Sequence, residues 1–333
     1  MKITLFGSKD FDSLEYHIAD TYRLMGHEVF HLDVSDIVPI KYRYFYWGTK
    51  IFPRFDLSIY SKAARKIIHS CPNLIICTYR FIHPACVELL KKELLNIPVI
   101  HINPDALTTF EYQQIFVSPY DFYFTKDPYI ADFMKTKMNL NAYYLPESFN
   151  KRLHRKPNVE RSELEEKTNI DVLAFGYLYP YRTNMIEKLI DAGINVAMFG
   201  LKPKQFFNRK LEKYFRNEWI AGERKSELLY GARIVFNNFH YAEIGSVNCK
   251  FFEIAGIGAF QICDYRPTVD DYSIIPSSKF TYKTIGEAIE LIRYYLGQPQ
   301  LRHKLAEEQY EHFQQHHTYE HRLKQVLSIV FGK

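Results

Sequence analysis

The run NCKFFEIAGIGAFQICDY, residues 248–265, sets a lysine and a glutamate three residues apart in an otherwise apolar helical stretch. It closes that stretch with Gly256 and Gly258 and continues into a short apolar strand ending at Asp264. Residues of these types at this spacing can hold a nucleoside diphosphate. Gly245 and Ser246 precede the stretch, and serine is a good helix N-cap. The N–H groups of a helix start attract an anion such as a diphosphate. Lys250 adds a point charge near the same phosphates. Glu253, about two turns in, carries acceptor oxygens for both hydroxyls of a ribose diol. Gly256 and Gly258 permit a tight helix-to-strand turn with close backbone approach. A plainer reading stands beside this one: Glu253 a solvated helix residue, Lys250 its neighbour and the glycines an ordinary C-cap.

A second cluster is FGYLYPYRTN, residues 175–184. A strand ends at Gly176, a polar-aromatic loop follows, and Arg182 opens a helix. Arg182 can bond phosphate oxygens in bidentate fashion. As a bare surface arginine it would instead sit unfavourably near the positive end of the helix dipole.

The elements that must position these residues follow from the alternation of short apolar runs with helical spacing. In the first half ITLF, EVFHLDV, NLIICTY, IPVIHIN and DFYFTKD read as strands separated by helices. In the second half IDVLAFG, INVAMFG, NEWIAGE, ARIVFNN and GAFQICD repeat the pattern. Such alternation predicts parallel sheets covered on both faces, with ligands at the carboxyl ends of strands. Between the halves, SFNKRLHRKPNVERSELEEK is charged and poor in strand formers, and reads as a linker. The expected organisation is an N-terminal Rossmann-like domain over residues 1–148, a linker over 149–168, a second Rossmann-like domain over 169–317, and a C-terminal helix over 318–333. The fold class is α/β, with two domains facing across a cleft and C-terminal helices packing back toward the first domain.

Composition narrows the function. A formal net charge of +5 over 333 residues is far from a nucleic-acid module, and it suits a phosphorylated ligand or an anionic membrane surface. Five cysteines with no CxxC pair point to reduced thiols and a cytoplasmic protein. The N-terminal MKITLFGSKD reads as a first strand, too short for a signal segment. No apolar run reaches the ~18 residues of a membrane span, so any membrane contact is expected to be peripheral, at the inner face. The turn after the first strand, GSKDFD, lacks the G-x-G-x-x-G dinucleotide fingerprint. P-loop, H-E-x-x-H, G-x-S-x-G and spaced His/Cys metal patterns are also absent from the sequence. His83 and Asp105 each follow a predicted strand and are candidates to face a reacting centre; each is equally readable as a helix cap. KYRYFYWGTKIFPRF, residues 41–55, mixes Lys41, Arg43, Lys50 and Arg54 with aromatic rings. Within it Tyr44, Tyr46 and Trp47 are candidates for an acceptor entrance, at a saccharide surface or a membrane interface. The alternative is a loop packed on the first domain.

Several stretches resemble one family. They are IPVIHINPDA, DFYFTKDPYIADFMK, YYLPESFNKRLHRK, DVLAFGYLYPYRTNMIEKLIDAGINVAMFG, GERKSELLYGARIVFNNF, GSVNCKFFEIAGIGAFQICD and HHTYEHRLKQVL. Together they cover most of the chain from about residue 97 and are similar to CgeB-like, spore-maturation type glycosyltransferases of bacteria, a GT-B group related to retaining family 4. The resemblance implies a nucleotide-sugar donor, a UDP-sugar in the first instance, held mainly by the second domain, and no other cofactor. It implies Glu253 on the donor ribose, Arg182 and Lys250 near the diphosphate, Gly176 at the phosphate-facing edge, and backbone contact to the base around Gly222. Retaining relatives carry an earlier glutamate eight positions before the ribose one; here that position is Gly245, with Glu243 two residues off. The expected activity is metal-independent hexosyl transfer to a hydroxyl acceptor, a surface glycan or its lipid-linked precursor, in polysaccharide biosynthesis, with retention. The expected partners are this donor and a glycan or glycolipid acceptor, and no nucleic acid. A nucleotide-sugar epimerase and a catalytically inactive donor-binding module are the alternatives.

Overall fold

The computed structural model describes residues 1–38, 44, 48, 51–103 and 113–332. The chain divides into two compact units: residues 1–146 with 242–246 and 319–333, and residues 147–241 with 247–318.

The first unit runs β1 (Lys2–Phe6), α1 (Leu14–Leu24), β2 (Glu28–Leu32), α2 (Pro53–His69), β3 (Leu74–Cys77), α3 (Pro84–Glu93), β4 (Val99–Asn103), β5 (Phe122–Thr125), α4 (Pro128–Met138) and β6 (Ala142–Tyr144). Its six strands pair in parallel in the order β2-β1-β3-β4-β5-β6. Alternate strand residues feed two cores, as a sheet buried on both faces requires. Phe6, Ile75, Cys77 and Val99 join Ala63, Ile67, Val87 and Leu90 of α2 and α3. Ile3, Leu5, Leu74, Ile76 and Ile100 join Ile18 and Tyr22 of α1.

The second unit runs α5 (Arg161–Thr168), β7 (Ile170–Tyr177), α6 (Pro180–Asp191), β8 (Val196–Leu201), α7 (Gly222–Gly231), β9 (Ala232–Asn237), α8 (Cys249–Ile257), β10 (Gln261–Asp264), α9 (Val269–Tyr272), β11 (Thr281–Tyr282), α10 (Ile285–Leu296) and α11 (Pro299–His316). Its five strands are parallel in the order β11-β10-β9-β7-β8. The last helix, α12 (Tyr319–Phe331), belongs to the first unit. There Tyr319, Leu323 and Val326 complete the core that contains α1.

Two expectations are corrected. The charged stretch 149–168 is no free linker. Its α5 packs on α7 with Leu164 buried, and Arg302 donates to Glu165 at 2.7 Å, both groups buried. A charged helix is retained in the fold when its charges find internal partners, which composition does not reveal. NEWIAGE, expected as a strand, makes none. The chain there touches β8 through one bridge, Phe215 to Met198, and through the Gly200 amide, which donates to the Glu218 carbonyl at 2.6 Å, and Gly222 already opens α7.

Candidate functional site

Sheet order decides where a ligand belongs. In the second unit β7 continues to β8 on one side and neighbours β9 on the other, so the loops leaving β7 and β9 diverge at a topological switch point. Gly176 lies at the end of β7 with φ +98°, a left-handed conformation that disfavours any side chain. A Cβ placed there would lie 2.8 Å from the Lys250 ammonium. Lys250, the second residue of α8, donates to the Phe175 carbonyl at 2.6 Å. The cation is thus held at the strand end by a neutral oxygen. No side chain caps the start of α6, which opens from the same loop at Pro180.

Arg182 is buried, which excludes the surface-arginine reading. Its Nε donates to Asn238 Oδ1 at 2.8 Å, its Nη2 to the Asn238 carbonyl at 2.9 Å and its Nη1 to the Tyr177 carbonyl at 2.8 Å. It therefore ties the β7 loop to the β9 loop. The bidentate phosphate grip expected of it is not the geometry seen. Asp264 holds the β9 loop from beneath, accepting from the Phe239 amide at 2.6 Å and the Tyr282 hydroxyl at 3.2 Å. Burial pushes its carboxyl above the ordinary range.

At α8 the expected cap is corrected. Asn248, not Ser246, is the N-cap, accepting from the Phe251 amide at 3.1 Å. Asn248 is fixed in turn by a reciprocal amide pair with Asn237. Ser246 lies in the first unit, its hydroxyl 3.0 Å from Asp127 Oδ2, an oxygen that also accepts from the Gly245 amide. Glu243 of the same segment pairs with Lys126 at 2.7 Å, both buried.

Glu253 is the fifth residue of α8, one turn in and not two. It is buried, so it is no solvated helix residue. Lys225 of α7 donates to its Oε2 at 3.2 Å, and His154 Nε2 lies 3.8 Å from its Oε1. His154 Nδ1 accepts the Asn150 amide at 3.1 Å. Lys225 and His154 escaped the sequence reading. A signal existed for the lysine: it stands three and four residues before Leu228 and Leu229, on the apolar stripe of α7. Within α8, a Cβ on Gly256 would strike the Phe149 ring, and Gly258 ends the helix left-handed. Gly222 is buried, the first residue of α7, with φ +55°.

In the first unit His83 is the N-cap of α3, its Nδ1 accepting from the Ala85 amide at 3.2 Å. That is the capping role, with Pro84 at the first helical position. Tyr44 is exposed. Asp105, Tyr46 and Trp47 lie outside the described residues. Among the described residues, no helix is long and apolar enough to cross a membrane.

Residues 182–328 match a protein family described as glycosyl transferase-like. Spore protein CgeB of Bacillus subtilis (strain 168) is 27% identical over 186 residues, 51% of this chain and 56% of that protein, so the chain spans about half the length of this curated relative. Among solved structures, sucrose-phosphate synthase from Thermosynechococcus elongatus superposes with a TM-score of 0.69 at 12% identity, covering 99% of each chain. Anabaena HepE, solved with UDP-glucose, gives 0.66 at 11% identity over the whole of both chains. T4 phage β-glucosyltransferase with its UDP-glucose substrate gives 0.54 at 14% identity, over 98% of this chain and 96% of that one. The fold is that of GT-B glycosyltransferases.

Proposed function

We propose that this chain is a CgeB-like glycosyltransferase that moves a sugar from a nucleotide-diphosphate sugar to a hydroxyl acceptor. The observation that carries the reading is the β7 edge of the second sheet. There a left-handed glycine, a lysine ammonium and an uncapped helix start meet at the switch point. Such a place stabilises a departing diphosphate without a metal ion, since charge that develops on the leaving oxygens meets preset donors. Glu253 lies on the helix that carries Lys250, and its carboxylate, oriented by Lys225, is assigned to the ribose diol. Gly222 at the start of α7 is assigned to the base. A UDP-sugar is the first donor to test, because solved structures with this fold were obtained with UDP-glucose.

For the acceptor, the proposal is a growing surface glycan or its lipid-linked precursor, met at the inner face of the membrane with Tyr44, Tyr46 and Trp47 at the entrance. Retention is expected without a strong protein base, the leaving phosphate helping to take the acceptor proton. His83 and Asp105 are the first-unit candidates beside that centre, and for His83 the capping role must be separated from catalysis by mutation. The inactive-module reading is favoured by one observation. The family's earlier glutamate position is Gly245, and Glu243, the nearest carboxylate in sequence, is bound by Lys126.

The test is a thermal-shift screen with UDP, GDP, ADP, CMP and dTDP, followed by transfer from the sugar nucleotide of the best base in EDTA. Selective binding raises the melting temperature by mass action. A UDP shift with sugar transfer in EDTA supports the reading. A shift without turnover on any acceptor favours the inactive module, conversion of donor without acceptor favours an epimerase, and no shift with any nucleotide overturns the donor assignment.

A further inference from the structure

Between β8 and α7 the chain runs LKPKQFFNRKLEKYFRN, residues 201–217. Six of the 43 lysines and arginines lie in this segment, and one of the 38 acids, Glu212. Its excess of +5 equals the formal net charge of the whole chain, so the other 316 residues balance at 37 of each sign. Lys202, Lys204, Arg209, Lys210, Lys213 and Arg216 are all exposed. Lys202 pairs with Glu212 at 2.9 Å and Lys210 with Glu187 at 3.8 Å. Lys204, Arg209, Lys213 and Arg216 form no ion pair among the described residues. The segment is held firmly to its own unit. Asn208 caps a 3-10 turn over Arg209–Tyr214, accepting from the Lys210 amide at 3.0 Å, and donates to Glu187 at 2.7 Å. Leu211 is buried, Phe207 meets Phe215 at 5.9 Å, and Lys202 lies over both rings. The Arg216 amide donates to the Met198 carbonyl of β8 at 2.8 Å. Phe206 is the exception. Its side chain is 83% exposed, and its backbone is left-handed at φ +62°, an uncommon conformation for a bulky residue.

We infer that this segment docks the second unit on an anionic lipid surface, with Phe206 entering the headgroup boundary and the cations meeting lipid phosphates. The inference deepens the proposal that the acceptor is met at a membrane, and it names residues that would make the contact. It does not depend on the donor assignment. Three observations carry it. The first is charge complementarity. Exposed lysines and arginines are drawn to an anionic leaflet, and four of the six here have no acid to satisfy them. The second is Phe206, which stands between Lys204 and Arg209 in the chain. A phenyl ring has no polar edge, and held out in water beside cations it gains by entering an apolar boundary. A polynucleotide would instead be met by successive exposed rings for base stacking. Here Phe207, Tyr214 and Phe215 are partly buried, and Phe206 is left to face solvent. The third is position. β8 ends the strand order of its sheet, so no further strand covers the segment that leaves it.

The test uses the whole chain, with vesicles of phosphatidylcholine alone and of phosphatidylcholine and phosphatidylglycerol in equal parts. The parent protein is expected to sediment with the mixed vesicles only. A Lys204→Gln/Arg209→Gln/Lys213→Gln/Arg216→Gln variant is expected to lose roughly a hundredfold in vesicle affinity or more, at about fivefold per cation. Phe206→Gly removes the ring and suits the left-handed turn. Its melting temperature should hold or rise while vesicle affinity falls about tenfold. UDP binding should be unchanged in both variants. A parent protein that ignores the mixed vesicles, or binds both kinds alike, overturns the proposal, as does either variant with the parent's vesicle affinity. Loss of UDP binding in the four-cation variant assigns those residues to the nucleotide. A single-stranded oligonucleotide that displaces the protein from mixed vesicles at equal phosphate concentration assigns them to a polynucleotide; either result also overturns the proposal. Failure of the parent to bind UDP counts against the donor reading alone, because vesicle binding does not depend on it.

Discussion

The two sheets present opposite chemistry at corresponding places. In the first unit the chain leaves β1 at Gly7, beside the switch point between β1 and β3. A Cβ there would lie 2.1 Å from Thr78 Oγ1 and 2.5 Å from Glu15 Cγ. Thr78 donates to the Glu15 carboxyl at 2.7 Å, and burial raises the carboxyl above its ordinary range. In the second unit the chain leaves β7 at Gly176, against the Lys250 ammonium. One glycine is packed against an acid, the other against a base. Similar topology therefore gives two strand ends of opposite chemistry, and the proposed function assigns the diphosphate to the second.

The comparison can be broken most forcefully at Gly200. It sits at φ +117° on β8, and a Cβ there would lie 2.1 Å from the Gly176 carbonyl oxygen, a backbone atom that cannot turn aside. Gly200→Ala is expected to cost about 3 kcal/mol or more, from backbone strain and overpacking together. Gly7→Ala meets only side-chain atoms and should cost about 1–2 kcal/mol. Equal losses in urea denaturation would show that the β7 edge is no more rigidly built than the β1 edge.

Arg182→Ala should act on stability before affinity, because it leaves the Tyr177 and Asn238 carbonyls without their donor. A loss of about 2 kcal/mol is expected, with UDP affinity falling only as the loops loosen. An unchanged melting temperature with UDP binding abolished would restore the phosphate grip read from the sequence.

Glu253→Gln tests the ribose assignment. It keeps the shape and removes the charge opposite Lys225, and should weaken UDP binding roughly ten- to a hundredfold, the worth of a charge-assisted hydrogen bond. 2′-Deoxy-UDP should lose much less. If both ligands lose equally, the diol is not where Glu253 acts. Lys250→Ala should weaken UDP about tenfold and leave uridine nearly untouched; matched losses would remove the lysine from the phosphates.

The smallest effect belongs to Glu15. Its folded carboxyl binds a proton more tightly than in the unfolded chain, so its contribution to stability is full below the ordinary value of 4.5 and declines as pH rises through the raised one. Glu15→Gln should flatten that part of the pH–stability curve and leave UDP binding alone. A variant whose curve matches the parent's would mean that the carboxyl is solvated, and the contrast between the two edges would lose its acidic half.

The sequence by itself determined the elements, because apolar periodicity is local. Strand runs such as NLIICTY and IDVLAFG could hardly be anything else once buried on both faces. It also determined that Gly176, Lys250 and Glu253 belong to one half of the chain. Only the tertiary structure decided what each does. Strand order put the β7 and β9 loops at a divergence, and so gave Arg182 two carbonyls to hold. Pairing across the fold brought Lys225 and His154 to Glu253 and took Ser246 to Asp127. It also drew the charged stretch 149–168 into the second unit. Contacts between residues 28, 71, 99 and 119 positions apart leave no periodic trace in the chain. They depend on which elements become neighbours, and that is settled by packing.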